Sequence, residues 1–319
     1  CPRLYYRLGR DRRFDARMLD ALDAVRVKAR LGIMPPREIV DPCTIVHEMR
    51  LRKSAAEIET MLRAADITAR AHAHAMQVAL PGRHEYEVEA ELLRTFRAHG
   101  AERPAYGSIV GSGVNATILH YRKNDRRLED GDLLLIDAGA EYEYYACDVT
   151  RTFPVNGRFS PAQRAIYDVV LAAQAAAIDA VRPGTTLPEV HRHALEILVD
   201  GLVTLGLIQG PVETALNEER YKPYYMHRTS HWLGMDVHDV GDYFVLREAQ
   251  AHAARRAAQP RELEPGFVLT IEPGLYIAPG SPCDPTWHGI GVRIEDDVLV
   301  TNDGPHVLTE AIPKRAEEL

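Results

Sequence analysis

What this chain lacks narrows the field first. Only 4 of its 319 residues are cysteine, and Cys1, Cys43, Cys147 and Cys283 stand far apart, matching no zinc or disulfide framework. The plain reading of that scarcity is a reducing, cytoplasmic compartment. No stretch approaches the roughly 18 uncharged apolar residues of a membrane span, which rules out a membrane-spanning helix. There is no basic excess either: 38 Lys+Arg face 46 Asp+Glu, a formal net charge of −8. That balance counts against a nucleic-acid partner, which calls for a basic patch or a high pI. An initiating methionine is missing too. The chain opens Cys1-Pro2-Arg3, no charged–apolar–small signal pattern follows, and Leu4-Tyr5-Tyr6-Arg7-Leu8 reads as the middle of a segment, so a fragment or processed form is expected.

What is present is ordinary in bulk. Apolar residues are 46 % and charged residues 26 %, as in soluble globular proteins, and the length suits one large domain or two ordinary ones. Residues 1–50 hold an amphipathic stretch at 15–30, the Pro35-Pro36 breaker and a short extended piece at 38–40, too little to bury a core alone. From Ser54 the pattern changes. Ser54 followed by Glu57 is a capping box, and Ile58, Met61, Leu62 and Ala65 continue at helical spacing until Pro81-Gly82. A second helix carries Val88, Leu92 and Phe96 on one face, and two more are expected at 161–181 and 187–205. Strands are expected at 133–138, 144–153, 268–271, 275–277 and 292–300, and a solvated loop at 251–261. Strands and helices without βαβ alternation predict an α+β fold with an antiparallel sheet. Gly111-Ser112-Gly113 lacks the spacing and context of a phosphate cradle and reads as a plain turn.

The chemistry sits in the carboxylates. Asp137 ends the apolar run Leu133-Leu134-Leu135-Ile136, a costly place for a charge unless it is paired or metal-bound. A hairpin centred between Tyr142 and Glu143 would set Asp137 opposite Asp148, with Cβ atoms about 4.5–5.5 Å apart. Two carboxylates that close repel unless a cation lies between them. A solvated turn with two unrelated acids is the competing reading of that segment. The arrangement recurs near the C-terminus: the strand 268–271 ends at Glu272, and pairing with Ile290-Gly291-Val292-Arg293-Ile294-Glu295 would bring Glu272 to Glu295. Between the two pairs lie His227, His231 and His238 in one apolar-aromatic stretch, and His120-Tyr121 adds a fourth candidate. His72, His74, His191 and His193 fall on helices and receive no role. Asp137, Asp148, Glu272 and Glu295 carry four negative charges, which two divalent cations would balance, with His231 completing the set. Oxygen donors suit Mn²⁺, Mg²⁺ or Fe²⁺, and a two-metal site could hold a bridging hydroxide and polarise a carbonyl.

These segments resemble a known family, the pita-bread metallopeptidases, and most closely its Xaa-Pro aminopeptidase branch. The likeness runs from about Val46 to the end. It is carried by Ile118-Leu119-His120-Tyr121, Leu135-Ile136-Asp137-Ala138-Gly139 and Asp148-Val149-Thr150-Arg151-Thr152-Phe153-Pro154. It continues in Ser230-His231-Trp232-Leu233-Gly234, Asp236-Val237-His238-Asp239, Thr270-Ile271-Glu272-Pro273-Gly274-Leu275-Tyr276 and Gly291-Val292-Arg293-Ile294-Glu295-Asp296. The resemblance implies a pita-bread catalytic domain over 51–319, preceded at 1–50 by the remnant of an N-terminal domain and linker. It implies two divalent ions, Mn²⁺ favoured. Asp137 would chelate one, Asp148 and Glu295 would bridge, and His231 and Glu272 would bind the other. Glu272 would also be the base. His238 would steady the substrate and oxyanion, His120 would contact substrate or shuttle a proton on the leaving side, His227 would wall the proline pocket and Arg293 would hold the site. The implied substrate is a peptide with proline second, and the full-length protein would be a homo-oligomer. A prolidase acting on Xaa-Pro dipeptides, a metal-free peptide-binding module and a creatine amidinohydrolase are the alternatives on the same fold.

Overall fold

Ser54 and Glu57 open the first long helix as their spacing predicts. The Ser54 hydroxyl accepts from the Glu57 N–H, the Glu57 carboxylate accepts from the Ser54 N–H at 2.7 Å, and the helix runs Ala55–Val78. The computed structural model describes residues 2–246 and 258–319. It divides into two compact units, Cys1–Arg50 and Leu51–Leu319. In the first, Arg3–Tyr5 pairs in parallel with Glu38–Val40, and helix Arg12–Arg26 is capped by Asp11.

The second unit builds two similar halves. In one, helices Ala55–Val78 and Glu85–Ala98 cover an antiparallel sheet of Ile109–Ser112, Leu133–Asp137 and Thr150–Pro154. Ile67, Ala71, Val88, Leu92 and Phe96 from the helices pack on Val110, Leu134 and Ile136 from the strands, all fully buried. Each large apolar side chain so buried contributes about 1.5–3 kcal/mol. In the other half, helices Pro161–Asp179 and Leu187–Thr204 cover Val268–Ile271, Gly274–Ile277, Ile290–Arg293 and Asp296–Thr301, with Tyr167, Val170 and Leu198 meeting Leu269, Leu275 and Val292. The halves join through the Glu295 N–H donating to the Thr150 carbonyl at 3.0 Å, and through the Thr152 hydroxyl donating to the Arg293 carbonyl at 3.0 Å. Arg151, fully buried, ties the same seam to the C-terminal segment by donating to the carbonyls of Glu295, Ile312 and Pro313 and to Asp296 Oδ1 at 2.7 Å. This is an α+β fold with antiparallel sheets.

Four expectations are corrected. The first hairpin is centred one residue later: Tyr142 pairs with Tyr145 around Glu143 and Tyr144, both at positive φ (47° and 70°), so Thr150, not Asp148, lies directly opposite Asp137. A two-residue turn with positive φ at both positions is the tight hairpin connection whose twist matches the strands. The strand expected across 144–153 is therefore broken, at Tyr145–Ala146 and Thr150–Pro154. Gly111 and Ser112 end a buried strand rather than forming a turn. Of the loop expected at 251–261, residues 251–257 lie outside the described residues, and Ala258–Pro260 forms a strand antiparallel to Phe244–Leu246.

Candidate metal and catalytic site

Every site residue read from the sequence lines one cavity of about 700 Å³. Asp137, Asp148, Glu272, Glu295 and Arg293 form its floor, and His120, His227, His231 and His238 stand around them. Asp137 closes its strand, and the next residues are held tightly. His72 Nε2 bonds the Ala138 carbonyl at 2.9 Å, and a Cβ on Gly139 would overlap the Cys147 carbonyl, so only glycine fits there. Asp148 occupies the break in the following strand, its N–H donating to Asp297 Oδ2 at 3.1 Å and its Oδ1 accepting from the Tyr106 hydroxyl at 2.6 Å.

The second carboxylate pair obeys the expected register. Gly274 faces Arg293 and Ile271 faces Asp296, and the same register carried through the gap sets Glu272 across from Glu295. The histidine segment lies along the first of these strands. Glu272 N–H donates to the Thr229 carbonyl (2.8 Å), Thr270 N–H to His231 (3.0 Å) and Leu233 N–H to Val268 (3.1 Å), which aligns His231 with Glu272. His231 Nε2 is 3.5 Å from both Asp148 Oδ2 and Glu272 Oε1.

Arg293 is the fixed point of the floor. Its guanidinium donates to Asp137 Oδ2 (2.6 Å), to the Thr150 hydroxyl (3.1 Å) and to the Tyr276 hydroxyl (3.1 Å). The Thr150 hydroxyl in turn donates to Glu295 Oε2 at 2.6 Å. The Tyr276 hydroxyl donates to His227 Nε2 at 2.8 Å, while His227 Nδ1 donates to the Arg228 carbonyl. Burial, with the Arg293 charge, holds the His227 imidazole down at about 3, so this ring is neutral with a defined tautomer.

Too much negative charge is gathered here for the protein alone to carry. Burial, then the surrounding carboxylates, drives the Glu295 carboxyl well above its ordinary range and lifts Glu272 to about 7. Asp137 is raised by burial and Asp148 in spite of Arg293. Burial pulls His231 down, but Asp148 and Glu272 outweigh it and raise the ring to about 9. Divalent cations fit this donor set. Asp148, His231 and Glu295 each offer a ligand atom, all within 4.8 Å of one another. Asp137 Oδ1 is buried with no hydrogen-bond partner. His231 Nδ1 is engaged by the Trp232 carbonyl at 3.0 Å, which leaves Nε2, the nitrogen facing the carboxylates, for a cation.

Three residues were not read from the sequence. Tyr106 has no flanking pattern to mark it. Thr150 sits inside a recognised motif without signalling its double hydrogen bond. His191, given no role on its helix, lines the cavity and bonds the Thr229 hydroxyl through Nδ1 at 2.7 Å. Among the other helical histidines, His72 is fully buried behind the floor and His74 pairs with Glu91. No described helix is long and apolar enough to cross a membrane.

Comparison with known proteins agrees with the geometry. The model of metallopeptidase family M24 matches residues 59–302. The Xaa-Pro aminopeptidase of Escherichia coli is 46 % identical over 316 residues, covering 99 % of this chain and 69 % of that protein. The Xaa-Pro aminopeptidase of Haemophilus influenzae is 47 % identical over 282 residues, 88 % of this chain and 63 % of that protein. The solved structure of Pseudomonas aeruginosa aminopeptidase PepP superposes with a TM-score of 0.90 at 51 % identity, covering 99 % of this chain and 69 % of that one. The architecture is thus the pita-bread fold expected from the motifs, and the chain belongs to metallopeptidase family M24.

Proposed function

We propose that this chain is an Xaa-Pro aminopeptidase, a hydrolase that removes an N-terminal residue from a peptide with proline second. The observation that carries the reading is the meeting of four carboxylates and His231 in one cavity, in a chain 46 % identical to the Escherichia coli Xaa-Pro aminopeptidase. Asp137, Asp148, His231, Glu272 and Glu295 would hold two divalent ions between them, Asp137 on one side of the set and His231 with Glu272 on the other. The oxygen-rich set favours Mn²⁺. When bound, such ions polarise the scissile carbonyl and acidify the attacking water.

The chain's own residues do the rest. Glu272, on the floor of the cavity, takes the proton of the attacking water. His238 reaches into the cavity beside His231, ring centroids 4.2 Å apart, and donates to the developing oxyanion. His120, on the opposite loop, serves the leaving side. His227, kept neutral by burial and the Arg293 charge and oriented by Tyr276, walls the proline ring. The bond before proline is a tertiary amide without an N–H, so a site that acts on the carbonyl loses nothing there.

The protein is read as cytoplasmic, supported by Cys43, Cys147 and Cys283 being unpaired. It is also read as a homo-oligomer in its full-length form. The deciding experiment compares an Xaa-Pro-Pro tripeptide with an Xaa-Pro dipeptide by mass spectrometry, with added Mn²⁺ and then with chelator. Chelator-sensitive release of the first residue from the tripeptide is expected. Cleavage of the dipeptide alone would make the chain a prolidase, and metal-replete protein inert on both would overturn the peptidase reading.

A further inference from the structure

The charges of the cavity do not end at its floor. Two more guanidinium groups line it, Arg122 and Arg228. Arg122 follows His120 by two residues, and its Nη1 lies 3.5 Å from where a Cβ on Gly107 would stand, next to Tyr106. Arg228 follows His227 directly, on the segment whose Thr229 carbonyl receives the Glu272 N–H. Both residues are exposed, which sets them at the mouth, one on each of the two loops that bear the outer histidines. Almost every other arginine of the cavity and its surroundings is spoken for. Arg293 is held by Asp137, Arg151 by Asp296 and Arg126 by Asp132. The guanidinium groups of Arg122 and Arg228, by contrast, have no hydrogen-bond or ion-pair partner among the described residues.

Two divalent cations would cancel the four carboxylates of the floor, leaving a mouth of net positive charge. A cleft of one sign concentrates ligands of the other. A peptide whose first residue lies at the floor must run outward past that mouth from the proline onward. We propose that Arg122 and Arg228 form a carboxylate-binding pair that selects peptides bearing negative charge just beyond the proline. This deepens the peptidase reading and rests on it. The shared chemistry is a carboxylate, supplied either by an acidic side chain or by the end of a short peptide.

The test is a panel of Mn²⁺-loaded cleavage assays on Xaa-Pro-Ala-amide, Xaa-Pro-Ala with a free terminus, Xaa-Pro-Glu-amide and Xaa-Pro-Lys-amide. The charged acids should exceed the neutral amide in kcat/KM by about three- to tenfold, mostly through KM. The advantage should shrink as salt is raised, because exposed charges are screened over about 8 Å at physiological ionic strength. A gain with the free terminus alone assigns the pair to chain ends, and a gain with Glu-amide assigns it to side chains. In Arg122→Gln/Arg228→Gln the acid-to-neutral ratio should fall toward one, a ratio that misfolding cannot mimic, and Arg228→Glu should turn the preference toward Lys-amide. Equal rates across the panel, or a ratio untouched by the substitutions, would overturn the proposal while leaving the peptidase reading intact. Failure to cleave any member would overturn both.

Discussion

Arg293 grips one oxygen of Asp137 at 2.6 Å and leaves the other, buried Oδ1, without a hydrogen bond. The guanidinium thus orients the carboxylate without using it up. The same planar group reaches Thr150 and Tyr276, three partners in three directions. A lysine keeps the charge but not that fork. Arg293→Lys is therefore expected to lower kcat/KM by about tenfold or more, with charge conserved. A variant as active as the parent would show that charge alone suffices.

Asp148 and His238 should separate ligand from donor. Asp148→Ala removes a carboxylate proposed to hold both ions, and both metal content and activity should collapse, the latter by on the order of 10³-fold or more. His238→Ala should lower kcat by about 10²–10³-fold while metal content holds. Metal analysis and kinetics on the same preparations decide it, and equal loss of metal in both variants would move His238 into the ligand set.

Glu85 is a buried carboxylate that no motif announced. It accepts from the Ser112 N–H and hydroxyl (2.7 Å each), Asn115 Nδ2 (3.1 Å), the Tyr121 hydroxyl (2.7 Å) and the Arg126 N–H (2.9 Å). It pins the loop that carries His120. Glu85→Ala would leave these donors unsatisfied at a cost of about 3 kcal/mol or more. Urea denaturation should show that loss, and hydrogen exchange should show residues 112–126 opening ahead of the sheet. Unchanged exchange there would remove Glu85 as the anchor.

His72 predicts how stability responds to acid. Burial holds its imidazole at about 4, below the ordinary value near 6.5. The unfolded chain therefore binds a proton that the folded one refuses. Its contribution is fully present above about pH 6.5 and is lost as the pH falls toward 4, by about 3 kcal/mol in all. With metal-free protein, the stability gap between wild type and His72→Gln should narrow over that window. A gap constant from pH 7.5 to 4.5 would refute it.

Much of the fold was legible because it rests on local rules. The Ser54–Glu57 box, the apolar spacing of Val88, Leu92 and Phe96, and the acids at strand ends each follow from short-range chemistry. The Glu272–Glu295 register was readable because alternation on both strands leaves one alignment that buries the apolar faces. The Asp137–Asp148 register was not. It turns on Glu143 and Tyr144 adopting positive φ, which neither residue type signals. Tyr106, His191 and Arg151 escaped for a different reason. Their partners lie 42, 38 and 145 positions away, and no local pattern records contacts at that distance.

The seam between the two halves gives the cofactor a second consequence. Asp148 precedes helices Pro161–Asp179 and Leu187–Thr204, and Glu295 follows them, so a cation held by both would work as a clasp around everything between. Its binding energy is then folding energy as well, worth about 2.7 kcal/mol at a hundredfold excess over its dissociation constant. A cell starved of that ion would lose more than turnover. It would hold a looser polypeptide, more open to heat and to proteases, whose abundance follows the supply of metal.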